Sequence, residues 1–473
     1  MRSIDIPPED FRRLAENITN LASDYLSTLN TRSTFPDTSG TRTEDLFHHR
    51  LGEKGLGPEA FRAIRDVIDH SRAQNGRFFG YVLGSGEPVA AVADLLASVL
   101  NQNVTAWRSA PAAVTIERTV VNWLAEAVSC AEFRGSLVGG GSAANLLALA
   151  MAREYKMPSN EIGLSGPQAT VYASEEVHMS VLKSIALLGL GRQNLRLIAT
   201  DSHFRLIPSE LENAIQRDMA AGKVPIAVVG TAGTVNTGAI DSLEEIASIA
   251  RKYKLWFHVD GAYGALAAIA IPGKFRGLNL ADSISLDPHK WLYQPLDCGC
   301  LLYRDPTKAR AAFAHTGEYA KVLSSDPTEA FAFFEESFEL SRRFRALRLW
   351  LSLRYHGLQA FRESITKDLE LAQRLASAID KHDKFELLVL PELTAVCFRY
   401  RTAKPTSEDD LNRRNAEILQ LVVRRGRVYL SNAALRGKFY LRACIVNHRT
   451  TEADVDEVIP EVLAAAGELR LYA

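Results

Sequence analysis

The chain has 473 residues, 47% hydrophobic and 23% charged, with 55 Lys and Arg against 56 Asp and Glu, a net charge of −1. That length exceeds one simple core and predicts two or three domains, and the near-neutral balance gives no electrostatic reason to expect nucleic acid or an anionic membrane as partner. Five scattered cysteines, a first segment (Met1 to Asp10) without an apolar signal core, and no window near ~18 apolar residues predict a reduced cytoplasmic protein without a metal site.

Residues 1–88 open as a helix, with Phe11, Leu14, Ile18, Leu21 and Tyr25 near helical spacing. Polar connections (Thr31 to Thr43) follow. The segment Arg77-Phe78-Phe79-Gly80-Tyr81-Val82-Leu83-Gly84-Ser85-Gly86 is too rich in glycine for a regular helix and reads as a loop that closes around a ligand. Over residues 89–358, helical patterns alternate with short apolar runs: Thr170 to Ala173, Leu195 to Ile198, Ile226 to Val229, Leu255 to Val259 and Ser283 to Leu286. Such alternation predicts an α/β unit, a mostly parallel sheet wrapped by helices, with ligands bound beyond the carboxyl ends of the strands. The apolar stretch Leu182 to Leu190 is interrupted by Lys183 and Ser184 and reads as a buried helix. Residues 359–473 form a smaller α+β unit: a helix from about Leu358 to Lys381, a strand near Thr394 to Tyr400, an exposed loop from Thr402 to Asp410, a helix from Asp409 to Arg425 and a strand from Phe439 to Ile445. A final helix follows the capping-box-like Thr451-Glu452-Ala453-Asp454.

The residues able to do chemistry fall at strand ends. Trp256-Phe257-His258-Val259-Asp260 closes one apolar run in a carboxylate, and Ser285-Leu286-Asp287-Pro288-His289-Lys290 closes another in a lysine. An amine that can form a Schiff base, and a carboxylate that can keep a pyridinium nitrogen protonated, suit pyridoxal phosphate. Gly139-Gly140-Gly141-Ser142, before a helix, would offer backbone N–H groups and a hydroxyl to a phosphate; no Lys-Ser/Thr follows, so this is not a Walker loop. His178, five residues past a strand, could lie over a flat ring or cap the next helix, and Thr231 and Thr234 close another strand with hydroxyls. Asp260 could equally cap a helix, and Lys290 could pair with a nearby carboxylate. All of these bland readings holding in the order Gly/Ser turn, His, Thr, Asp, Lys is much harder to accept.

With these motifs the chain resembles the group II pyridoxal-phosphate decarboxylases from the Arg77-Phe-Phe-Gly-Tyr81 loop to the segment Leu441 to Asp454, most specifically in His258-Val-Asp-Gly-Ala-Tyr263, Asp287-Pro-His-Lys-Trp291 and Ser341-Arg-Arg-Phe-Arg-Ala-Leu347. The resemblance implies the type I pyridoxal-phosphate fold and an obligate homodimer, with the N-terminal segment embracing the partner and the active site at the subunit interface. It implies Lys290 as the Schiff-base lysine, Asp260 as pyridinium partner, His178 stacked on the ring and the Ala262 methyl on the other face. Gly140, Gly141 and Ser142 would bind phosphate with Asp287 and His289 beside it, and Thr234 would sit near the ring hydroxyl or substrate carboxylate. Asp287 is a departure, since aromatic-substrate members often carry Asn there.

Decarboxylation leaves a carbanion at Cα that needs a proton, delivered by a mobile loop that excludes water. The segment Phe313 to Pro327 has that character, and its Tyr319 matches the family's loop tyrosine; relatives with Phe there form an aldehyde instead. His315 is a rival donor on the residues alone. For the substrate, Phe79, Tyr81, Val82 and Thr105 are the expected contacts. Aromatic amino acids come first, and Ser341 before the arginine pair resembles tyrosine-type members. Thr105, where aromatic-substrate relatives often have Phe, keeps an aliphatic substrate open, and an acidic one would need Arg77. An aldehyde synthase and an aminotransferase, the latter using Arg442 for a carboxylate, are the competing chemistries on the same fold.

Overall fold

The computed structural model describes residues 4–315, 324–401 and 406–471. Seven strands make the central sheet: β1 (Arg134–Val138), β2 (Ala169–Ser174), β3 (Leu195–Ile198), β4 (Val224–Thr231), β5 (Trp256–Asp260), β6 (Ser283–Leu286) and β7 (Gly299–Tyr303). Their order is β1-β7-β6-β5-β4-β2-β3, with β7 antiparallel to both neighbours and the pairs from β6 through to β3 parallel. All five predicted runs are strands. The sequence pattern did not single out β1 or β7, because β1 leads straight into the glycine turn and β7 follows the lysine motif without a helical crossover.

The strands are buried apart from the first residues of β1 and β4 and the middle of the edge strand β3, as expected of a sheet covered by helices on both faces. The helix Gly141–Lys156 packs on one face and buries Ala144, Leu147, Ala148 and Met151 against Val171, Ala173, Val229 and Leu301. On the other face Val228, Phe257, Val259 and Ile284 meet residues of the helices Pro111–Ala127 and Leu243–Lys252.

A second sheet, antiparallel, has the order β10-β11-β9-β8, with β8 Phe385–Leu387, β9 Ala395–Tyr400, β10 Ser431–Leu435 and β11 Lys438–Cys444. Helices Glu408–Arg425 and Val458–Leu471 cover it. The helix Ala346–Asp380 links the two sheets and is broken at Gly357, where φ is +73°. Thr451 and Asp454 form the expected capping box. The expected loop of 402–410 is shorter than predicted, because Ser407 already caps the helix that starts at Glu408; residues 402–405 of it lie outside the described residues.

Candidate active site

The carboxyl ends of the parallel strands open on a cavity lined by Gly139 to Ser142, Asn145, His178, Thr231, Gly233, Val235, Asp260, Ala262, Tyr263, Asp287, His289, Lys290 and Leu296. Lys290 and Asp260 reach it from adjacent parallel strands. Asp260 is the last residue of β5, and Lys290 sits in the single helical turn Pro288–Trp291 just past β6. The Lys290 Nζ is 2.9 Å from Asp287 Oδ2, so the lysine does pair with a carboxylate while it lines the cavity.

Asp260 is held by donors alone. Its Oδ2 accepts from Asn145 Nδ2 at 2.8 Å, and its Oδ1 from the Ser285 hydroxyl at 3.0 Å and the Ala262 N–H at 3.2 Å. Three donors therefore converge on this buried side chain, an arrangement able to orient it toward the N–H of a ring nitrogen. His178 caps the helix Met179–Leu187, its Nδ1 accepting from the Ser180 N–H, and it lines the cavity as well. Burial holds its pKa below the usual value, with Asp260 opposing, so the imidazole is neutral and apolar enough to lie on a ring. The His289 Nδ1 is 2.7 Å from the Cys298 carbonyl and donates to it; burial lowers this pKa too, and Nε2 lies 3.5 Å from Asp287 Oδ2.

The glycine turn fits a phosphate. Gly140 has φ +132°, a conformation that side chains resist, and a Cβ on Gly141 would lie 2.6 Å from the Ala262 Cβ. The turn ends β1 and starts a 16-residue helix, so free N–H groups and the positive end of the dipole face the cavity. Two buried wall atoms, Thr231 Oγ1 and Asp287 Oδ1, have no hydrogen-bond partner among the described residues, as befits a polar ligand. A lysine, a donor-held carboxylate, an imidazole at the cavity wall and a helix-starting glycine turn are together a donor set that fits pyridoxal phosphate.

Other expectations are corrected. Thr234 is fully buried behind the wall, its hydroxyl 2.8 Å from that of Thr237 and accepting from the Ala239 N–H; Thr231 is the threonine at the cavity. Phe79 is fully buried in the core of the small sheet, against residues such as Val396 and Phe398, and cannot touch a substrate. Tyr81, at φ +63°, is about half exposed with its hydroxyl 3.2 Å from that of Tyr429, Val82 packs on the large core, and Thr105 gives its carbonyl to Phe333; none lines the cavity within one subunit. Arg77 donates to the carbonyls of Asn30 and Arg32, which ties it to the N-terminal segment, and it does not line the cavity. Arg442 is buried and donates to the Val235 carbonyl and the Ser431 hydroxyl. His315 is exposed beyond the helix Pro306–Phe313, and Tyr319 lies outside the described residues.

The predicted loop does reach the lysine, from behind: the Gly84 N–H donates to the His289 carbonyl and the Glu87 N–H to that of Tyr293. The motif Leu441 to Asp454 clamps this loop. Asn447 donates to the Asn75 carbonyl, Arg449 to those of Ser85 and Gly86, and Thr450 to that of Gly76. The sequence pattern missed Asn145, Ser180 and Ser285. Ser283 and Ser285 alternate in step with His258 and Asp260 on the adjacent strand, a legible signal once the two strands are paired.

A family model described as the pyridoxal-dependent decarboxylase conserved domain matches residues 58–401. An aromatic-L-amino-acid decarboxylase of Bacillus atrophaeus is 34% identical over 99% of this chain and 98% of its own length. The crystal structure of Oryza sativa TDC with PLP and tryptamine superposes with a TM-score of 0.91 at 28% identity, covering 98% of this chain and 99% of that one. That of Rhodiola rosea 4-hydroxyphenylacetaldehyde synthase gives 0.88 at 27%, with the same coverage. With the cavity's donor set and the two sheets, these likenesses establish that the chain belongs to the pyridoxal-dependent decarboxylase family, an amino-acid carboxy-lyase of the type I pyridoxal-phosphate fold.

Proposed function

We propose that the chain converts an aromatic L-amino acid to its amine and CO2, as a cytoplasmic homodimer with active sites at the subunit interface. The juxtaposition of Lys290 with a donor-held Asp260 in one cavity carries the chemistry, and similarity to an aromatic-L-amino-acid decarboxylase supports the substrate class. Pyridoxal phosphate, when bound, supplies the electron sink into which the Cα–carboxylate bonding electrons flow. Lys290 would supply the amine that carries the cofactor, and Asp260 would hold the N–H of its ring nitrogen. His178 and Ala262 hold the two ring faces. Gly140, Gly141 and Ser142 anchor the phosphate, with Asp287 and His289 beside them. Tyr319 delivers the proton to Cα and excludes oxygen. The engagement of Arg77 by backbone carbonyls weighs against an acidic side chain.

The dimer has support in surfaces a single subunit leaves uncovered. No residue of the helix Pro8–Thr28 is buried, though Phe11, Ile18 and Leu26 are apolar. The helix Pro88–Leu100 exposes Val92, Leu95, Leu96, Val99 and Leu100, the i, i+3, i+4, i+7, i+8 stripe that a partner would cover. A partner would also bring Tyr81, Val82 and Thr105 to a cavity they do not line alone. Five buried thiols with no disulfide between them suit a reducing compartment, and no described helix is long and apolar enough to cross a membrane. The division into 1–88, 89–358 and 359–473 is kept as a proposal, its second boundary falling beside the helix break at Gly357.

The test is a screen of the cofactor-loaded enzyme with aromatic, acidic and aliphatic amino acids. Equal amounts of CO2 and amine from an aromatic substrate are expected. Peroxide and aldehyde in the same proportion would assign an aldehyde synthase, and amino transfer to a keto acid without CO2 an aminotransferase.

A further inference from the structure

The polar side chains behind the cavity form a single hydrogen-bonded line. Trp256, His258 and Asp260 alternate along one face of β5, and Ser283 and Ser285 lie opposite His258 and Asp260 on β6. The Trp256 Nε1 is 2.9 Å from the Ser283 hydroxyl, which is 2.9 Å from the His258 Nδ1. The His258 Nε2 is 2.9 Å from the Asn145 Oδ1. The Asn145 Nδ2 is 2.8 Å from Asp260 Oδ2 and 2.9 Å from the Ser180 hydroxyl, which is 2.7 Å from the His178 Nδ1.

The direction of every bond in this line is dictated by its ends. A carboxylate only accepts and an indole nitrogen only donates. Asp260 therefore turns the two Nδ2 hydrogens of Asn145 toward itself and Ser180, which leaves Oδ1 to His258. Since Oδ1 only accepts, His258 must carry its proton on Nε2. Its Nδ1, which also lies 3.2 Å from the Ser283 carbonyl, then accepts from the nearer Ser283 hydroxyl, whose oxygen receives the Trp256 N–H. At the other end the Ser180 backbone N–H points at the His178 Nδ1 at 3.3 Å, so that nitrogen accepts, and the Ser180 hydroxyl, accepting from Asn145, sends its own proton to it as well. Burial keeps both imidazoles neutral, so each holds a single proton.

We propose that Asn145 is a positioning residue that orients the Asp260 carboxylate and, through Ser180, fixes His178 as the Nε2–H tautomer, making the nitrogen left free toward the cavity a hydrogen-bond donor. Its Nε2 has no partner among the described residues, so it presents an N–H to a carboxylate or oxyanion of the substrate and does not act there as a base. The assignment of that cavity rests on the function proposed above; the line of bonds does not.

The test is the tautomer state of His178 and His258 by 15N NMR of histidine-labelled, cofactor-free protein, with the two signals assigned by His178→Gln and His258→Gln. Both are expected as Nε2–H. Asn145→Asp keeps the shape but replaces two donors by acceptors, so Ser180 turns its proton to the new carboxylate and His178 shifts toward the Nδ1–H form. Cofactor affinity in that variant, read by titration, is expected to fall roughly tenfold or more, because Asp260 then shares a proton with its new neighbour. Either histidine found as Nδ1–H in the unaltered protein overturns the proposal, even if Asn145→Asp fails to fold. So does a His178 signal that Asn145→Asp leaves unmoved. Absence of CO2 release with the expected tautomers would sink the functional reading and leave the positioning role standing.

Discussion

Replacing Arg342 by Met tests whether the Ser341-Arg-Arg motif holds up the phosphate turn. Arg342 and Glu117 are each 1% exposed and form an ion pair under the central sheet. The Arg342 Nη1 donates to the Val104 carbonyl at 2.7 Å and Nη2 to that of Leu137 at 2.8 Å, while Glu117 accepts from the Leu137 N–H at 2.9 Å. Leu137 lies near the end of β1, just before the glycine turn. Met fills similar volume but leaves a buried carboxylate with no countercharge and two carbonyls with no donor. Breaking a buried pair from one side costs about 3–5 kcal/mol, a large share of the roughly 5–15 kcal/mol of an ordinary folded domain. Urea unfolding at fixed subunit concentration should show that loss as a lower midpoint, and the variant should release cofactor more readily. Adding Glu117→Gln removes the stranded charge, keeps an acceptor for Leu137 and should restore at least half the loss. A single variant within about 1 kcal/mol of the parent, or a double variant no better than the single, would refute the reasoning.

Gly141→Ala places a methyl 2.6 Å from Ala262; relieving that clash should cost about 1–3 kcal/mol, read as weaker cofactor binding in a titration. His258 is held neutral by burial, its pKa pushed down to about 4 from an unfolded value near 6.5. The unfolded chain therefore binds the extra proton first, and stability present above about pH 6.5 is lost as pH falls toward 4, by up to about 1.4 kcal/mol per unit; His258→Gln should flatten that limb of the urea midpoint curve. Asp368 has the opposite sign. Burial pushes its pKa up to about 8 despite bonds from Tyr293 and Asn447, so its stabilising proton is lost as pH rises toward 8, and Asp368→Asn should gain on the parent between pH 5 and 8. Tyr319→Phe should divert product from amine to aldehyde with peroxide, measured side by side on one substrate.

The strands that carry the site were legible because buried parallel strands are short apolar runs, and their ends hold the polar residues that a ligand needs. Lys290, Asp260 and the Gly140 turn could thus be placed together from sequence. Several bland readings hold in the structure for residues that also line the cavity. His178 caps a helix, and Lys290 pairs with Asp287, while both line the cavity. One side chain can meet a local hydrogen-bonding need and still face a ligand. Asn145 was invisible because nothing in a helical Ala-Ala-Asn-Leu signals that its amide lands on a strand 115 residues away. Phe79 was misplaced for a related reason: a loop's aromatic residues look alike in sequence, yet Phe79 faces the small sheet's core and Tyr81 faces out. Thr234 and Thr231 share a strand end, and only pairing geometry tells which hydroxyl meets the cavity.

Trapping the cofactor on the protein tests the central assignment most directly. Borohydride reduction of the cofactor-loaded enzyme, followed by peptide mass mapping, is expected to place one cofactor per subunit on Lys290, and Lys290→Ala should lose both the adduct and the visible band. An adduct on another lysine, or a band that survives in Lys290→Ala, would contradict the account.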